Sequence, residues 1–310
     1  MNKILLVGSA TPIQKILYGL SDIKGLQIEA LYAPVGQSAE IELRAASLQI
    51  PIRDIGLLRK PEELKRLRTL ALSWILSINS TIIFPPALLA MPSSGCLNLH
   101  PGRLPEYAGL HTHQWAIKNG EVTFGATIHW MTAEVDAGDL AYTQEFPISE
   151  KDTGLSLYLK CLKSGTNLAI QALRDIAQGI SPPRIPQDLS KRVLYRAKDS
   201  TSGEIDWRQP AKKILDFIRA ADYAPFVCPT YTPTAQFKNC IFFIRKAALI
   251  ATRGGMPGEV LTIADNGVTV SASDQNSVLL KSITTTEGRS VSGATIADVL
   301  GLKPGDNLAS

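Results

Sequence analysis

The sequence contains few cysteines, and they stand far apart. Cys96, Cys161, Cys228 and Cys240 are separated by 65, 67 and 12 positions, so the chain has no CxxC pair and no zinc-ligand spacing. We therefore expect no metal centre, and we interpret the cysteines as reduced, buried thiols of a cytosolic protein.

The sequence also lacks a block of like charge. Its 32 Lys and Arg stand against 28 Asp and Glu, a net charge of +4 that is spread along the chain. This excess is too weak and too diffuse to indicate nucleic-acid binding by charge alone. Hydrophobic residues at 45% and charged residues at 19% are typical of globular proteins, and the length suggests about two domains.

No hydrophobic run is long enough to cross a membrane. Residues 69–102 contain no Asp, Glu, Lys or Arg, but polar residues and the pair Pro85-Pro86 interrupt them. The apolar run 4–7 ends at Gly8, which is too short for a signal peptide. We expect a cytoplasmic protein without membrane contact, in which residues 69–102 contribute to a buried sheet.

The segment after the first predicted strand lacks the glycine pattern of a dinucleotide site. It reads Gly8-Ser9-Ala10-Thr11-Pro12, without the GxGxxG spacing that brings a pyrophosphate to a helix N-terminus. We interpret it as a plain turn from strand to helix.

Short apolar runs alternate with helical spacing in the first half of the chain. Buried strands are predicted at 4–7, 27–32 and 74–78, and helices at 13–20, 39–48 and 62–72. This alternation predicts an α/β fold with a Rossmann-like, parallel-rich sheet.

The pattern changes in the second half. A helix predicted at 155–177 precedes the Pro-containing segment 181–186, and closely spaced alternating runs follow a helix at 211–221. Such runs with Gly, Asn and Asp between them favour a small antiparallel β-barrel of the OB type. We predict an α/β catalytic domain at 1–185, a linker at 186–204 and the C-terminal β-barrel domain at 205–310.

Asn98 and His100 lie two residues apart at a predicted strand end, so their side chains project from one face. Pro101 and Pro105 then impose an irregular loop, which leaves the carboxyl end of the strand open to ligands.

A carboxylate follows the next predicted strand, 124–131, in the turn Asp136-Ala137-Gly138. If the two loops converge, Asp136 can hold or protonate His100 while Asn98 donates to a developing oxyanion. These groups suit acyl transfer without a side-chain nucleophile. His129, between two apolar residues of the strand, is interpreted as structural.

Five segments around these residues form a set. They read Asn98-x-His100-Pro101, Leu104-Pro105-x-Tyr107-x-Gly109, Trp115-Ala116-Ile117-x-x-Gly120, Gly125-x-Thr127-Ile128-His129 and Asp136-x-Gly138. Together they resemble the signature of the 10-formyltetrahydrofolate-dependent formyltransferase family. The resemblance implies that Asn98, His100 and Asp136 are the catalytic residues. The chain departs from the family at Gly102-Arg103-Leu104-Pro105, where Ser-Leu-Leu-Pro is usual.

The resemblance covers essentially the whole chain. Segments 205–207, 218–220, 257–260 and 300–305 are similar to the C-terminal domain of methionyl-tRNA and UDP-amino-sugar formyltransferases. Residues 107–117 and 135–140 are most similar to formylation domains that act on amino acids held by peptide synthetases.

The resemblance also implies the reaction and its ligands. The formyl group of 10-formyltetrahydrofolate would pass, by direct attack, to a primary amine of a small or carrier-protein-bound acceptor, an amino acid or an amino sugar. Two sets of contact residues follow. Pro86, Ala87, Leu88, Leu89, Val135 and Asp139 would bind the folate, and Arg103, Leu104, Tyr107 and His113 would bind the acceptor.

Two alternative activities remain open at this point. One is a hydrolase that releases formate from the same folate, with water in place of the amine. The other is a methionyl-tRNA formyltransferase, but those enzymes carry a basic insertion that grips the tRNA, whereas residues 33–40 here contain no Lys or Arg. Because tRNA binding needs phosphate-neutralising residues, we expect no nucleic-acid partner. The sequence gives no indication of the oligomeric state.

Overall fold

The computed structural model describes residues 1–199, 202–252, 254–274 and 276–308. The chain divides into two compact units. The first comprises Met1–Thr112, Thr123–Pro147 and Tyr158–Tyr195, and the second comprises His113–Val122, Ile148–Leu157 and Arg196–Ser310. Residues 200 and 201 of the predicted linker, and 253, 275, 309 and 310 of the predicted barrel domain, lie outside the described residues.

The strands of the first unit form a mixed sheet and a separate two-stranded pair. They are β1 (Asn2–Gly8), β2 (Leu26–Ala33), β3 (Ile52–Asp54), β4 (Trp74–Ile78), β5 (Gly95–His100), β6 (Ala108–Gly109), β7 (Thr123–Trp130), β8 (Leu140–Pro147) and β9 (Leu194–Tyr195). The sheet has the order β3-β2-β1-β4-β5-β7-β8. Its strands are parallel from β3 to β5, whereas β7 and β8 run antiparallel to their neighbours. The predicted parallel-rich, Rossmann-like sheet is confirmed, and β6 pairs separately with β9, which lies in the predicted linker.

Helices lie between the strands, and all but those at 86–89, 112–118 and 295–300 overlap helices predicted from the sequence. They are α1 (Ala10–Gly19), α2 (Ala39–Ser47), α3 (Pro61–Arg68), α4 (Pro86–Leu89), α5 (Thr112–Lys118), α6 (Gly154–Ala177), α7 (Ala211–Ala220) and α8 (Thr295–Leu300). The hydroxyl of Ser38 caps α2, and Pro61 opens α3, where its missing N–H leaves no bond unmade. None of the helices in the described ranges combines the length and the apolar character needed to cross a membrane.

Both faces of the first sheet are buried, and alternation along the strands decides which side chain faces which layer. On β1, Ile4 and Leu6 join a cluster that contains residues of α1, α2 and α6, whereas Leu5 and Val7 join one that contains residues of α3 and α4. On β5, Leu97 and Leu99 belong to the first cluster and Cys96 to the second. The intervening side chains of Asn98 and His100 therefore project from the same face as Cys96, the face that α4 covers.

The second unit contains an antiparallel sheet. Its strands are β10 (Thr234–Phe237), β11 (Cys240–Ile250), β12 (Val260–Ala264), β13 (Gly267–Ser271), β14 (Ser277–Thr285) and β15 (Ser290–Ser292). The order is β10-β11-β14-β13-β12, and β15 pairs with β14. Trp207, Ile214 of α7 and Phe242 pack into one core with residues of this sheet. The predicted C-terminal β domain is confirmed.

Candidate active site

Asn98 and His100 occupy the carboxyl end of β5, between β4 and β7. In the sheet register Asn98 lies opposite Ser77 on one side and His129 on the other. Asn98 is half-buried, and the imidazole of His100 is only 4% exposed. The predicted pair therefore shares one face of the sheet, as the two-residue spacing requires.

Asp136 lies in the loop between β7 and β8, in a left-handed conformation with φ of +53°, which costs a non-glycine residue about 1 kcal/mol or more. Two contacts compensate for this conformation. Its Oδ2 accepts from the Gly109 backbone N–H at 2.8 Å, and its carbonyl accepts from Gln187 Nε2 at 3.0 Å. Gly138 allows the loop to pass close to β7, because a Cβ there would lie 1.9 Å from the Trp130 carbonyl oxygen.

The structure brings the three predicted catalytic side chains together, with a fourth between them. Asp136 Oδ2 lies 3.5 Å from His100 Nδ1, and Asp136 Oδ1 lies 3.3 Å from His129 Nε2. The same His129 nitrogen lies 3.0 Å from Asn98 Nδ2. An amide, two imidazoles and a carboxylate thus form one connected cluster within the first unit.

The electrostatics of the cluster favour an ionised Asp136 beside a neutral His100. Burial raises the pKa of Asp136, but the imidazoles of His100 and His129 and the Gly109 N–H outweigh it and hold that pKa well below its usual range. Burial lowers the pKa of His100, and the Asp136 carboxylate only partly opposes this. Because a carboxylate and a neutral imidazole can both accept protons, the pair is equipped to take one proton from a bound substrate.

The loop after β5 is held against His100. Thr127 Oγ1 donates to the Gly102 carbonyl at 2.8 Å, and Thr112 Oγ1 donates to the Pro101 carbonyl at 3.3 Å. A Cβ at Gly102 would lie 2.5 Å from His100 Nε2. The departure from the family's serine at this position therefore coincides with a close approach of the backbone to the imidazole.

Three of the predicted acceptor-binding residues lie on this loop. Arg103 Nη1 donates to Thr123 Oγ1 at 3.3 Å, and Leu104 is buried. The Tyr107 ring is also buried, against the rings of Phe124 and Tyr195.

His113, the fourth of these residues, belongs to the second unit. It is buried there, and its Nε2 is hydrogen-bonded to the Tyr223 hydroxyl. Acceptor binding by all four residues stays a prediction.

The predicted folate-binding residues lie on α4 and on the Asp136 loop. Pro86 and Ala87 are exposed, Leu89 is half-buried, and Leu88 packs into the cluster that also contains Cys96. Val135 is 39% exposed, and its carbonyl accepts from Arg192 at 2.6 Å. Asp139 lies 3.8 Å from Arg184. Apart from Leu88, whose side chain is in the core, these residues are accessible to a ligand.

A cavity of about 310 Å³ lies in the first unit, beside the carboxyl ends of β1 and β4. Its lining includes Gly8, Ser9, Arg59, Ser80 and Ile82. Among the described residues no acidic side chain pairs with Arg59. The cavity can therefore offer a positive charge and hydroxyl groups to a small anionic ligand.

His129 is the site residue that the sequence interpretation missed, because a histidine between Ile128 and Trp130 has the setting of a core strand residue. The signal that could have identified it is its position in the alternation of side chains along β7. His129 is two residues from Thr127 and pairs with Asn98 once β7 is antiparallel to β5. Within the described ranges, no group of three or more His, Cys, Asp or Glu residues could hold a metal ion.

Both parts of the chain match known protein families. Residues 53–173 match the family described as formyl transferase, and residues 198–300 match its C-terminal domain. The methionyl-tRNA formyltransferase of Synechococcus sp. (strain JA-3-3Ab) is 32% identical over 239 residues, which are 75% of this chain and 72% of that protein. The methionyl-tRNA formyltransferase of Geobacillus thermodenitrificans (strain NG80-2) is 28% identical over 287 residues, 90% of this chain and 88% of that protein.

A solved structure shares the fold. The N-formyltransferase of Helicobacter canadensis, in complex with folinic acid and dTDP-3-aminofucose, superposes with a TM-score of 0.69 at 19% identity, over 90% of this chain and 99% of that one. At this identity the similarity concerns the fold alone.

Proposed function

Because the chain belongs to the formyl transferase family, we propose that it transfers the formyl group of 10-formyltetrahydrofolate to the primary amine of a small or carrier-bound acceptor, an amino sugar or an amino acid. The protein is an enzyme with a folate co-substrate. The observation that carries the proposal is the cluster of Asn98, His100 and Asp136 at the open end of β5. Asp136 lies 3.5 Å from His100, and His129 lies within 3.3 Å of both Asp136 and Asn98.

The exposed part of α4 and the Asp136 loop would hold the folate. α4 covers the face from which Asn98 and His100 project, so a ligand there would be directed towards the cluster. When bound, the folate supplies an activated formyl group. Pro86, Ala87, Leu89, Val135 and Asp139 remain our assignment for its contacts.

The reaction follows from the groups present. The acceptor nitrogen forms a bond to the formyl carbon, and an electron pair moves to the formyl oxygen. An N–H of Asn98 would donate to this oxyanion, a contribution of about 3 kcal/mol where such donors have been measured. The pair of Asp136 and His100 would take the proton from the attacking nitrogen and return it to the folate nitrogen as the C–N bond breaks.

Charge favours a small acceptor over a tRNA stem. The segment between β2 and α2 contains no Lys or Arg, and Glu40 and Glu42 lie in the first turn of α2. A tRNA enzyme needs positive charges against phosphates. The cavity with Arg59 instead suits an acceptor that carries one or two phosphates, as a nucleotide-linked amino sugar does.

Methionyl-tRNA is the second candidate acceptor. The specific observation in its favour is the similarity to the Geobacillus methionyl-tRNA formyltransferase over 90% of this chain. Under this alternative, positive charge elsewhere on the chain would replace the basic segment.

The test is a formylation assay with 10-formyltetrahydrofolate and separate acceptors: dTDP- and UDP-linked amino sugars, free amino acids, carrier-bound aminoacyl thioesters and methionyl-tRNA. Mass spectrometry would detect one added carbonyl on the product. We expect transfer to a small or carrier-bound amine, lost in Asn98→Ala and Asp136→Asn. Transfer to methionyl-tRNA alone would contradict the proposed acceptor class, and formate release without any amine would identify a hydrolase.

A further inference from the structure

We propose that Gln187 is a positioning residue: its side-chain amide holds the loop between β7 and β8 and thereby places the Asp136 carboxylate against His100. This inference rests on the proposed formyl transfer. It gives a role in the reaction to the predicted linker, 186–204.

The first step is the course of the chain after α6. The indole N–H of Trp130, the last residue of β7, donates to the Pro183 carbonyl at 2.7 Å. Ile185 exchanges two backbone hydrogen bonds with Leu140, the first residue of β8, at 2.8 and 3.0 Å. Farther on, β9 pairs with β6. Gln187 therefore lies on a segment that is fixed on both sides of it and that runs beside the two ends of the β7–β8 loop.

The second step is the contact of Gln187 with this loop. Its Nε2 donates to the Asp136 carbonyl at 3.0 Å and to the Gly138 carbonyl at 2.5 Å. Both partners are backbone carbonyls, which can only accept, so the orientation of the amide is unambiguous. The two hydrogens of one nitrogen thus hold the loop at Asp136 itself and two residues after it.

Arg192, on the same segment, holds the loop on the other side of Asp136. Its Nη2 donates to the Val135 carbonyl at 2.6 Å, and its Nη1 lies 3.0 Å from Glu134 Oε1. Donors from one segment therefore face the carbonyls of residues 135, 136 and 138.

The third step weighs the stability of the fold against the position of the loop. Gln187 Oε1 is buried, and among the described residues it has no hydrogen-bond partner. A buried carbonyl oxygen without a partner is unfavourable, and an apolar side chain of the same length would avoid it. Asp136 has a left-handed φ of +53°, which persists only where surrounding contacts hold it. The choice of glutamine is therefore explained by the placement of Asp136 and not by the stability of the fold.

The position of the loop controls three contacts at once. Asp136 Oδ2 lies 3.5 Å from His100 Nδ1 and accepts from the Gly109 N–H at 2.8 Å. Asp136 Oδ1 lies 3.3 Å from His129 Nε2. A loop released from Gln187 would lengthen these contacts and weaken the pair that is proposed to accept the proton.

The test is the substitution Gln187→Met, which keeps the length of the side chain and removes both donors. We expect kcat to fall about tenfold or more, because catalytic groups tolerate little misplacement. The urea midpoint should change little, since the lost hydrogen bonds and the removed unpaired oxygen act in opposite directions. Gln171→Met is the matched control, because the amide of this exposed glutamine donates to Asp175 of the same helix. It should keep the wild-type kcat.

The pH profile of kcat/KM separates positioning from a general loss of activity. His100 faces Asp136 at Nδ1 and the Tyr107 carbonyl at Nε2, and His129 is the other titratable group that acts on it. The carboxylate raises the pKa of His100. A displaced carboxylate should therefore move the acid limb of kcat/KM to lower pH, in the same direction as Asp136→Asn.

A second measurement does not depend on turnover. In hydrogen exchange, the Gly109 N–H should exchange faster in Gln187→Met, because its acceptor is the Asp136 carboxylate. The N–H groups of the residues on either side of Gly109 donate to carbonyls within 193–195 and should keep their rates.

Wild-type kcat in Gln187→Met, or a lower kcat with an unshifted acid limb and unchanged exchange at Gly109, would overturn the inference. So would a lower urea midpoint with faster exchange at all three N–H groups, which would give Gln187 a role in stability alone. If the wild type formylates no acceptor, the proposed function fails, and the exchange result still decides whether Gln187 places Asp136.

Discussion

The Nε2–H of His100 donates to the carbonyl oxygen of Tyr107 at 2.6 Å, which leaves Nδ1 directed at Asp136. A backbone carbonyl thus fixes the tautomer of the buried imidazole. The nitrogen that can gain a proton is the one beside the carboxylate, 3.5 Å from Oδ2. The proposed proton acceptance by His100 and Asp136 would therefore use this pair as one unit, and the loop that follows β5 sets its orientation.

The first prediction concerns the pH dependence of the reaction. Burial lowers the pKa of His100, so the imidazole stays neutral to a lower pH than a free histidine, whose pKa is about 6.5. The acid limb of kcat/KM should therefore lie below about pH 6.5.

The variant Asp136→Asn sharpens this test. The Asp136 carboxylate raises the pKa of His100 against the effect of burial, so its removal should move the acid limb to still lower pH, while kcat falls. A profile of kcat/KM against pH for both proteins measures this. A limb that moves upward in Asp136→Asn would contradict the coupling between the two groups.

The second prediction concerns Gly102. A Cβ there would lie 2.5 Å from His100 Nε2 and 2.8 Å from Thr112 Oγ1, so Gly102→Ser must displace the imidazole or the loop. We expect kcat to fall about tenfold or more, because catalysis tolerates little misplacement of its groups. Gly19→Ala is the matched control, since a Cβ there meets no atom closer than 3.5 Å. Full activity of Gly102→Ser would contradict this prediction, because it would show that the loop can move without a loss of kcat.

The third prediction concerns a buried carboxylate away from the active site. Glu63 on α3 accepts from Arg66 at 2.7 Å, from Arg53 at 2.9 Å and from the Tyr32 hydroxyl. Burial raises the pKa of Glu63, but these donors outweigh it and lower that pKa to about 2. Because the folded-state pKa lies below the unfolded one, the stabilisation is complete above about pH 4.3 and is lost as the pH falls towards 2.

Glu63→Leu should therefore lower the free energy of unfolding by about 3 kcal/mol at neutral pH, since two guanidinium groups lose their acceptor. Urea unfolding at pH 7 and pH 3 measures this, and the difference between the wild type and Glu63→Leu should shrink at the lower pH. A difference that does not change with pH would mean that the ionised carboxylate is not the stabilising form.

Much of the fold is predictable because buried strands and amphipathic helices leave strong periodic patterns. The predicted strand 74–78 coincides with β4, and the predicted helix 155–177 differs from α6 by one residue at its start. The helix predicted at 62–72 ends earlier, at Arg68, because Ala71 has a left-handed φ of +50°. The alternating run 241–244, one of those that predict the C-terminal β domain, belongs to the longer strand Cys240–Ile250; its later part was missed because none of residues 245–250 is buried, so no buried alternation marks them.

The site could be predicted where residues contribute side chains, and less well where they contribute backbone atoms. The spacing of Asn98 and His100 places both on one face, and the Asp-x-Gly turn supplies the carboxylate. The role of Tyr107 towards His100 depends on a carbonyl oxygen, and every residue type has one. His129 was missed because its contact with Asn98 depends on β7 pairing antiparallel to β5. The alternation of side chains along one strand does not determine the direction of the neighbouring strand.

The last prediction tests whether the cavity beside β1 and β4 receives the acceptor. Arg59 lines this cavity and is exposed. A charge-assisted contact between its guanidinium and a phosphate would contribute enough binding free energy that losing the contact should raise KM about tenfold. We expect Arg59→Ala to raise KM for a nucleotide-linked amino sugar and to leave KM for the folate unchanged, because the assigned folate residues lie on α4 and the Asp136 loop. Arg68→Ala, which removes an exposed arginine of α3 that does not line the cavity, is the control. If both variants keep the wild-type KM for every phosphate-bearing acceptor, the acceptor binds elsewhere; if Arg59→Ala raises KM for the folate instead, the cavity belongs to the co-substrate.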